Sequence, residues 1–126
     1  MPITGELANQ FIDPVSQYLF SPEKRYVTRL YRSKEAEILV VCWEPGQSSS
    51  AHSHGDSESI VMVLEGKILV TLASKEQELE KHQIVVTPRG VQHRMANVSD
   101  GRSVTLHIYA PSTSTPISQP FRDLSI

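Results

Sequence analysis

The sequence has few of the features that mark secreted, membrane or disulfide-bonded proteins. Only one of its 126 residues is a cysteine, Cys42, which excludes an intramolecular disulfide and suits a reducing compartment. No apolar stretch is long enough to cross a bilayer, and the first residues lack the charged-then-apolar pattern of a secretory signal. We therefore expect a cytoplasmic protein.

The sequence also lacks an excess of charge of either sign, since the formal net charge is only −2. A basic surface of the kind that holds nucleic acids or anionic membranes is not indicated, so we expect neither partner. The length and the 39% hydrophobic content fit one domain with one core. The expected partner is a small molecule, and the expected assembly is a monomer or a homodimer.

An apolar and polar alternation with a period of two begins at Tyr26 and predicts β-strands. The expected strands cover residues 26–31, 36–43, 92–98 and 103–109, with two more in each of 59–73 and 76–87, the latter pair being one polar and one buried strand. About eight short strands separated by turns favour an all-β fold, namely a jelly-roll β-barrel.

The two ends of the chain carry different patterns. Asp13 and Pro14 suit the start of a helix, which we expect to be short and to cover about residues 14–20. Residues 112–126 are rich in proline, serine and threonine and are expected to form a tail draped over the surface. One domain over residues 1–126 is predicted, with the barrel at about 24–111.

Three histidines are candidate metal ligands. His52 and His54 lie one residue apart after the Pro45-Gly46 turn, so on a strand both imidazoles point to one face. The pair alone is as consistent with a polar rim as with a metal site. His93, which follows a second turn, makes metal binding the better interpretation, because imidazoles suit Fe, Ni, Cu and Zn and three leave open positions for catalysis.

These two histidine elements resemble the paired motifs of the cupin superfamily, and in particular its cysteine dioxygenase (thiol dioxygenase) family. Cys42-Trp43, Gly46 and Ser49-Ser50-x-His52-x-His54 resemble the family's first motif. The second runs from His93-Arg94-x2-Asn97 into Val104-Thr105-Leu106-His107-Ile108-Tyr109-x-Pro111, and this last run is its most specific part. The resemblance covers roughly residues 26–111.

The resemblance implies a cupin barrel that binds Fe(II) through His52, His54 and His93. It also implies a relay of Thr105, His107 and Tyr109 beside the metal, and these alternating residues share one face of their strand. The implied reaction is the oxidation of L-cysteine, or a similar small thiol, by O2 to the sulfinate. Alternatives are another thiol such as 3-mercaptopropionate or cysteamine, a metal-dependent lyase or isomerase, and a non-catalytic small-molecule-binding cupin.

Two assignments stay open between neighbouring residues. The family binds the substrate carboxylate with an arginine on an early strand. Arg29 is the candidate for this role. Arg25 is the alternative, because it would point to the same face of the strand. Glu58 is a possible fourth ligand, whereas counting back from the next turn places Ser59 at that position. Animal family members carry there a cysteine crosslinked to the tyrosine, so Ser59 predicts no crosslink.

Overall fold

The computed structural model describes residues 18–53, 55–113, 117 and 119–125. This part of the chain contains nine strands and no helix. The strands are β1 (Tyr26–Arg32), β2 (Glu37–Trp43), β3 (Glu58–Glu65), β4 (Lys67–Leu72), β5 (Lys75–Glu80), β6 (Ile84–Thr87), β7 (His93–Ala96), β8 (Ser103–Ala110) and β9 (Phe121–Asp123). In the described ranges no helix could cross a membrane.

The strands form two sheets that enclose the core. The larger sheet has the order β6-β3-β8-β2-β1-β9, and the smaller has the order β5-β4-β7. β8 lies in the middle of the larger sheet and pairs antiparallel with β2 and β3. The predicted jelly-roll barrel is confirmed. Most of its strands form because the alternation in the sequence gives them one apolar face to bury.

The core lies between the two sheets and takes residues from both. Trp43, Val63, Ile68, Val70 and Leu79 are all at most 1% exposed. A smaller cluster of Val40, Cys42 and Val104 lies on the outer face of the larger sheet, where Tyr18 and Phe20 pack against it. The segment before β1 therefore covers part of the outer face, leaving the inner face free to form the site.

Three stretches differ from the sequence-based expectation. Residues 14–17 of the predicted helix lie outside the described residues, and residues 18–20 have irregular backbone. The residues of β6 alternate between buried and exposed, whereas a wholly buried strand was expected. Ile84 and Val86 are about half exposed on the outer face. The tail contains β9, which pairs parallel with β1 and which three residues of mixed character could not predict.

The turn between β3 and β4 requires glycine. Gly66 has a φ of +76°, in the left-handed region, and a Cβ placed there would lie 2.6 Å from the Arg102 carbonyl oxygen and against Ser103 Oγ. Ser103 Oγ in turn donates a hydrogen bond of 2.7 Å to the Lys67 carbonyl. The turn thus packs against the start of β8 and fixes where that strand begins.

Candidate active site

A cavity of about 320 Å³ lies between the sheets and opens to solvent. Its lining brings together side chains that are far apart in the sequence. They include Arg25, Glu37, His52, His93, His107 and Tyr109. Two of its walls carry the candidate chemistry. We call them the loop wall (His52 and His93) and the strand wall (His107 and Tyr109, which line the cavity, together with the fully buried Thr105 that contacts His107).

The loop wall is formed by a bridge between the β2–β3 connection and the start of β7. The backbone N–H of His52 donates to the His93 carbonyl at 3.0 Å, and the N–H of His93 donates back at 2.9 Å. The two imidazole rings lie with their centroids 4.7 Å apart and tilted by 53°. Both rings line the same cavity, so the bridge places two imidazoles side by side in its wall.

The hydrogen bonding of His52 prepares its ring for metal binding. Its Nδ1 lies 2.7 Å from the Ser50 carbonyl oxygen, which can only accept, so Nδ1 carries the proton. In the neutral ring Nε2 then keeps a lone pair, as a metal ligand must.

The surroundings of His93 favour the neutral form of its ring. Burial lowers the pKa of His93 below its ordinary value, the nearby His52 lowers it further, and the Val91 backbone acts in the opposite direction. A neutral imidazole is the form that binds metals. The donor chemistry of the loop wall therefore fits a transition metal.

The third predicted ligand, His54, lies outside the described residues. Among the residues that are described, no three His, Cys, Asp or Glu side chains gather closely enough to hold a metal ion. The described site thus contributes two imidazoles.

The strand wall has the arrangement that the alternation predicts. Thr105 Oγ1 lies 2.7 Å from His107 Nε2, and Tyr109 Oη lies 3.3 Å from His107 Nδ1. All three residues are buried, with Thr105 at 0% exposure. The three side chains therefore form one connected hydrogen-bonded row on the inner face of β8.

Tyr109 is held in its protonated form. Burial raises the pKa of its phenol well above the ordinary value, and Glu37 raises it further, while Arg25 acts in the opposite direction. The phenol is thus a hydrogen-bond donor at the edge of the cavity at any physiological pH.

The two candidate arginines have different surroundings. Arg25 lines the cavity, and its guanidinium carbon lies 5.5 Å from the centroid of the Trp43 ring. Burial lowers the pKa of Arg25, and electrostatic interaction with Tyr109 opposes this shift.

Arg29 lies outside the cavity lining that the structure describes and pairs with two carboxylates. Its Nε donates to Glu37 at 3.0 Å, and its Nη1 donates to Asp123 at 2.9 Å. The partner Asp123 belongs to β9, so this pair also ties the end of the chain to the larger sheet.

The two candidates for the fourth-ligand position lie on opposite faces of β3. Glu58 is exposed and its carboxylate lies 4.0 Å from Arg89 Nε, outside the cavity. Ser59 is buried and lies opposite Tyr109 in the register between β3 and β8. Its hydroxyl finds no hydrogen-bond partner within the described ranges. Ser59 thus occupies the inward position, where a serine cannot form a thioether with the tyrosine.

Two residues of the site had no role assigned from the sequence. Glu37 is 1% exposed, lines the cavity and accepts a hydrogen bond of 3.0 Å from Thr113. The sequence feature that could have revealed Glu37 is a single carboxylate at an inward-facing position of an otherwise apolar strand. Trp43 donates from Nε1 to Thr105 at 2.9 Å, a contact that strand parity cannot reveal.

Comparison with known proteins places this geometry in context. The family described as Cupin domain matches residues 39–109. Cysteine dioxygenase type 1 of Rattus norvegicus is 29% identical over a 92-residue alignment, covering 62% of this chain and 46% of that protein. The Danio rerio protein of the same name is 31% identical over 91 residues, covering 59% and 44%. The chain thus spans less than half the length of these relatives.

Other similarities are shorter or concern the fold. The tetracenomycin polyketide synthase protein TcmJ of Streptomyces glaucescens is 32% identical over 53 residues, covering 42% of this chain and 36% of that protein. The crystal structure of TT1209 from Thermus thermophilus has a TM-score of 0.73 at 25% identity, covering 77% of this chain and 92% of that one. KdgF from Halomonas sp. has a TM-score of 0.70 at 15% identity, covering 79% and 91%.

Proposed function

Because the chain belongs to the cupin family, we propose that it is a non-haem iron thiol dioxygenase, which uses O2 to oxidise L-cysteine or a similar small thiol to the sulfinate. The observation that carries the proposal is that both histidines of the loop wall, and His107 and Tyr109 of the strand wall, line one small cavity. A volume of about 320 Å³ lies at the lower end of the range for ligand pockets, which suits a small substrate.

His52 and His93, together with His54, would hold the Fe(II). When bound, iron would lower the pKa of a coordinated thiol and supply the redox chemistry that adds both atoms of dioxygen to sulfur. His52 offers Nε2 for this purpose because its Nδ1 proton is donated to the Ser50 carbonyl. Three protein ligands leave room at the metal for a thiol and for dioxygen.

Tyr109 is the proposed hydrogen-bond donor to the reacting oxygen or to the substrate. Its buried phenol stays protonated, and His107 and Thr105 hold it in place through the contacts of the strand wall. A donor whose position is fixed before the substrate arrives costs little reorganisation during the reaction.

Arg25 is the proposed partner for a substrate carboxylate, in preference to Arg29. A guanidinium that lines the cavity can form a bidentate pair with a carboxylate. Arg29 already binds Glu37 and Asp123. This proposal therefore assigns carboxylate binding to Arg25, whereas the family resemblance indicated Arg29.

A metal-dependent cupin lyase or isomerase is the alternative function, and it would require Glu58 as a metal ligand. The outward direction of that side chain, beside Arg89, favours the dioxygenase. A non-catalytic cupin would not need the buried row of Thr105, His107 and Tyr109.

The direct test is oxygen consumption by the purified protein loaded with Fe(II). L-cysteine, 3-mercaptopropionate and cysteamine should be compared at saturating concentrations, with the product identified by mass spectrometry after reaction in isotopically labelled dioxygen. We expect one thiol to give a sulfinate that carries two labelled oxygen atoms. Absence of oxygen uptake with all three thiols would contradict the proposal.

A further inference from the structure

The strand wall does not end at Thr105, because Trp43 on the neighbouring strand extends it. The indole Nε1–H donates a hydrogen bond of 2.9 Å to Thr105 Oγ1, and Trp43 is 1% exposed. An indole nitrogen can donate but cannot accept. Trp43 therefore occupies an electron pair of the threonine oxygen and offers no acceptor for the threonine proton.

The proton of the Thr105 hydroxyl then has one destination. Within the described residues, the only other hydrogen-bond partner of this oxygen is His107 Nε2, at 2.7 Å. If that nitrogen carried a proton, the threonine O–H would be left without an acceptor in a fully buried position, which is costly. Thr105 therefore donates to His107, and Nε2 is the unprotonated nitrogen of the ring.

The direction of the next contact follows from this tautomer. A neutral imidazole whose Nε2 accepts must carry its proton on Nδ1. The His107 Nδ1–H then donates across 3.3 Å to Tyr109 Oη. Because the phenol oxygen accepts this bond, its own proton is not donated to His107, and Tyr109 lines the cavity.

We propose that Trp43 is a positioning residue that fixes the direction of the hydrogen bonds along the strand wall, so that Tyr109 presents its O–H to the substrate. Every donor in the row, from Trp43 through Thr105 and His107 to Tyr109, points toward the cavity. The direction stands on the hydrogen-bond geometry alone, whereas its consequence for thiol oxidation rests on the proposed function.

The tautomer of His107 can be measured in the unaltered protein. Long-range nitrogen–proton correlation spectra of the isotope-labelled full chain, in the metal-free form, distinguish a protonated Nδ1 from a protonated Nε2. The His107 signals can be assigned from their loss in a His107→Asn variant. We expect the Nδ1–H tautomer. A protonated Nε2, in the neutral or the charged ring, would overturn the inference whether or not any variant folds.

The role of Trp43 itself is tested by Trp43→Phe. This change removes the indole donor and leaves space in which a water molecule can accept the Thr105 proton, so His107 should populate both tautomers. Turnover at saturating thiol should fall about tenfold, as is typical when an outer partner of a catalytic group is lost. Saturating conditions matter because Trp43 also contacts Arg25.

Two control variants separate positioning from packing. Thr105→Ser keeps the hydroxyl and should keep the tautomer of the unaltered protein. Leu79→Ala removes an equally buried side chain from β5 of the other sheet and should reduce stability without changing the tautomer. A Trp43→Phe protein with the original tautomer and full turnover would overturn the role of Trp43.

The tautomer measurement and the thiol assay fail independently. If the protein oxidises no thiol but His107 is protonated on Nδ1, the proposed function fails and the hydrogen-bond direction stands. If a thiol is oxidised but Nε2 carries the proton, the proposed function stands and the inference about Trp43 fails.

Discussion

The two walls of the cavity are built in different ways. The strand wall comes from consecutive alternate positions of one central strand, and its side chains are fully connected by hydrogen bonds. The loop wall comes from two segments about forty residues apart, which meet through an isolated bridge. A row within one strand keeps its spacing by covalent geometry, whereas the loop wall depends on the tertiary structure around it.

This difference suggests a division of labour. A loop supplies a site whose ligands can adjust to a metal, and a buried strand holds a donor at a fixed position. Changes in the loop wall should therefore remove the metal and all activity. Changes in the strand wall should reduce the rate and leave the metal in place.

The largest effect is expected for the loop wall. His52→Ala or His93→Ala should lower the iron content of the reconstituted protein and bring oxygen consumption to the background rate, because each change removes a ligand. Metal analysis after desalting measures the first effect, and an oxygen electrode measures the second. His82→Asn is the matched control, since His82 is exposed with a φ of 70°, which asparagine tolerates. Equal losses in the control would contradict a specific role for the two histidines.

The next effect is expected for the strand wall. Tyr109→Phe removes the proposed donor and should reduce turnover about a hundredfold, within the usual range for a positioned proton donor. Iron content should be unchanged, because the loop wall is intact. If the variant retains full turnover, or if it loses its iron, the proposed separation of the two walls is wrong.

A third comparison concerns the two arginines. Arg25→Gln should raise the KM for a carboxylate-bearing thiol about tenfold to a hundredfold, because it removes a charged hydrogen-bond partner. The KM for cysteamine, which lacks a carboxylate, should change little. Steady-state kinetics with both thiols give this ratio, and equal changes for the two would contradict carboxylate binding by Arg25.

Arg29→Gln should act on stability instead. It leaves the buried carboxylate of Glu37 without its charged partner, and the free energy of unfolding should fall by about 3 kcal/mol. Urea unfolding followed by tryptophan fluorescence measures this change. A stable Arg29→Gln protein with a raised KM would reverse the assignments of the two arginines.

The smallest effect is expected at Cys42, on the outer face of β2. Burial raises the pKa of its thiol from 9.0 to about 11, so the thiol is neutral at physiological pH and enclosed at 1% exposure. A thiol reagent should leave the native protein unlabelled and label it after unfolding. Because the folded pKa is above the unfolded one, this group favours the folded state below pH 9 and loses that contribution as the pH rises toward 11. Rapid native labelling would show that this side of the sheet opens.

Much of the fold was predictable because the strands obey a simple period. The alternation from Tyr26 onward indicated all of the strands β1 to β8, and the prediction of a jelly-roll barrel is confirmed. β9 was missed because its three residues have no apolar alternation and are held by pairing with β1. Such a strand depends on its neighbour for its structure, so local sequence carries little signal for it.

The candidate site was predictable where its residues share one strand. Thr105, His107 and Tyr109 were expected to share a face, and their side chains are in contact. Arg25 and Arg29 could not be separated, because they have the same parity and differ only in what surrounds them. One lines the cavity and the other pairs with Glu37 and Asp123.

The sequence by itself determined the period-two strands, the row on β8 and the types of side chain available for a metal, because each depends on residues close together in the chain. Only the tertiary structure decided that His52 meets His93, that Glu58 faces outward and that Trp43 donates to Thr105. These contacts depend on sheet order and register, which are set by the packing of the whole core and not by any one segment.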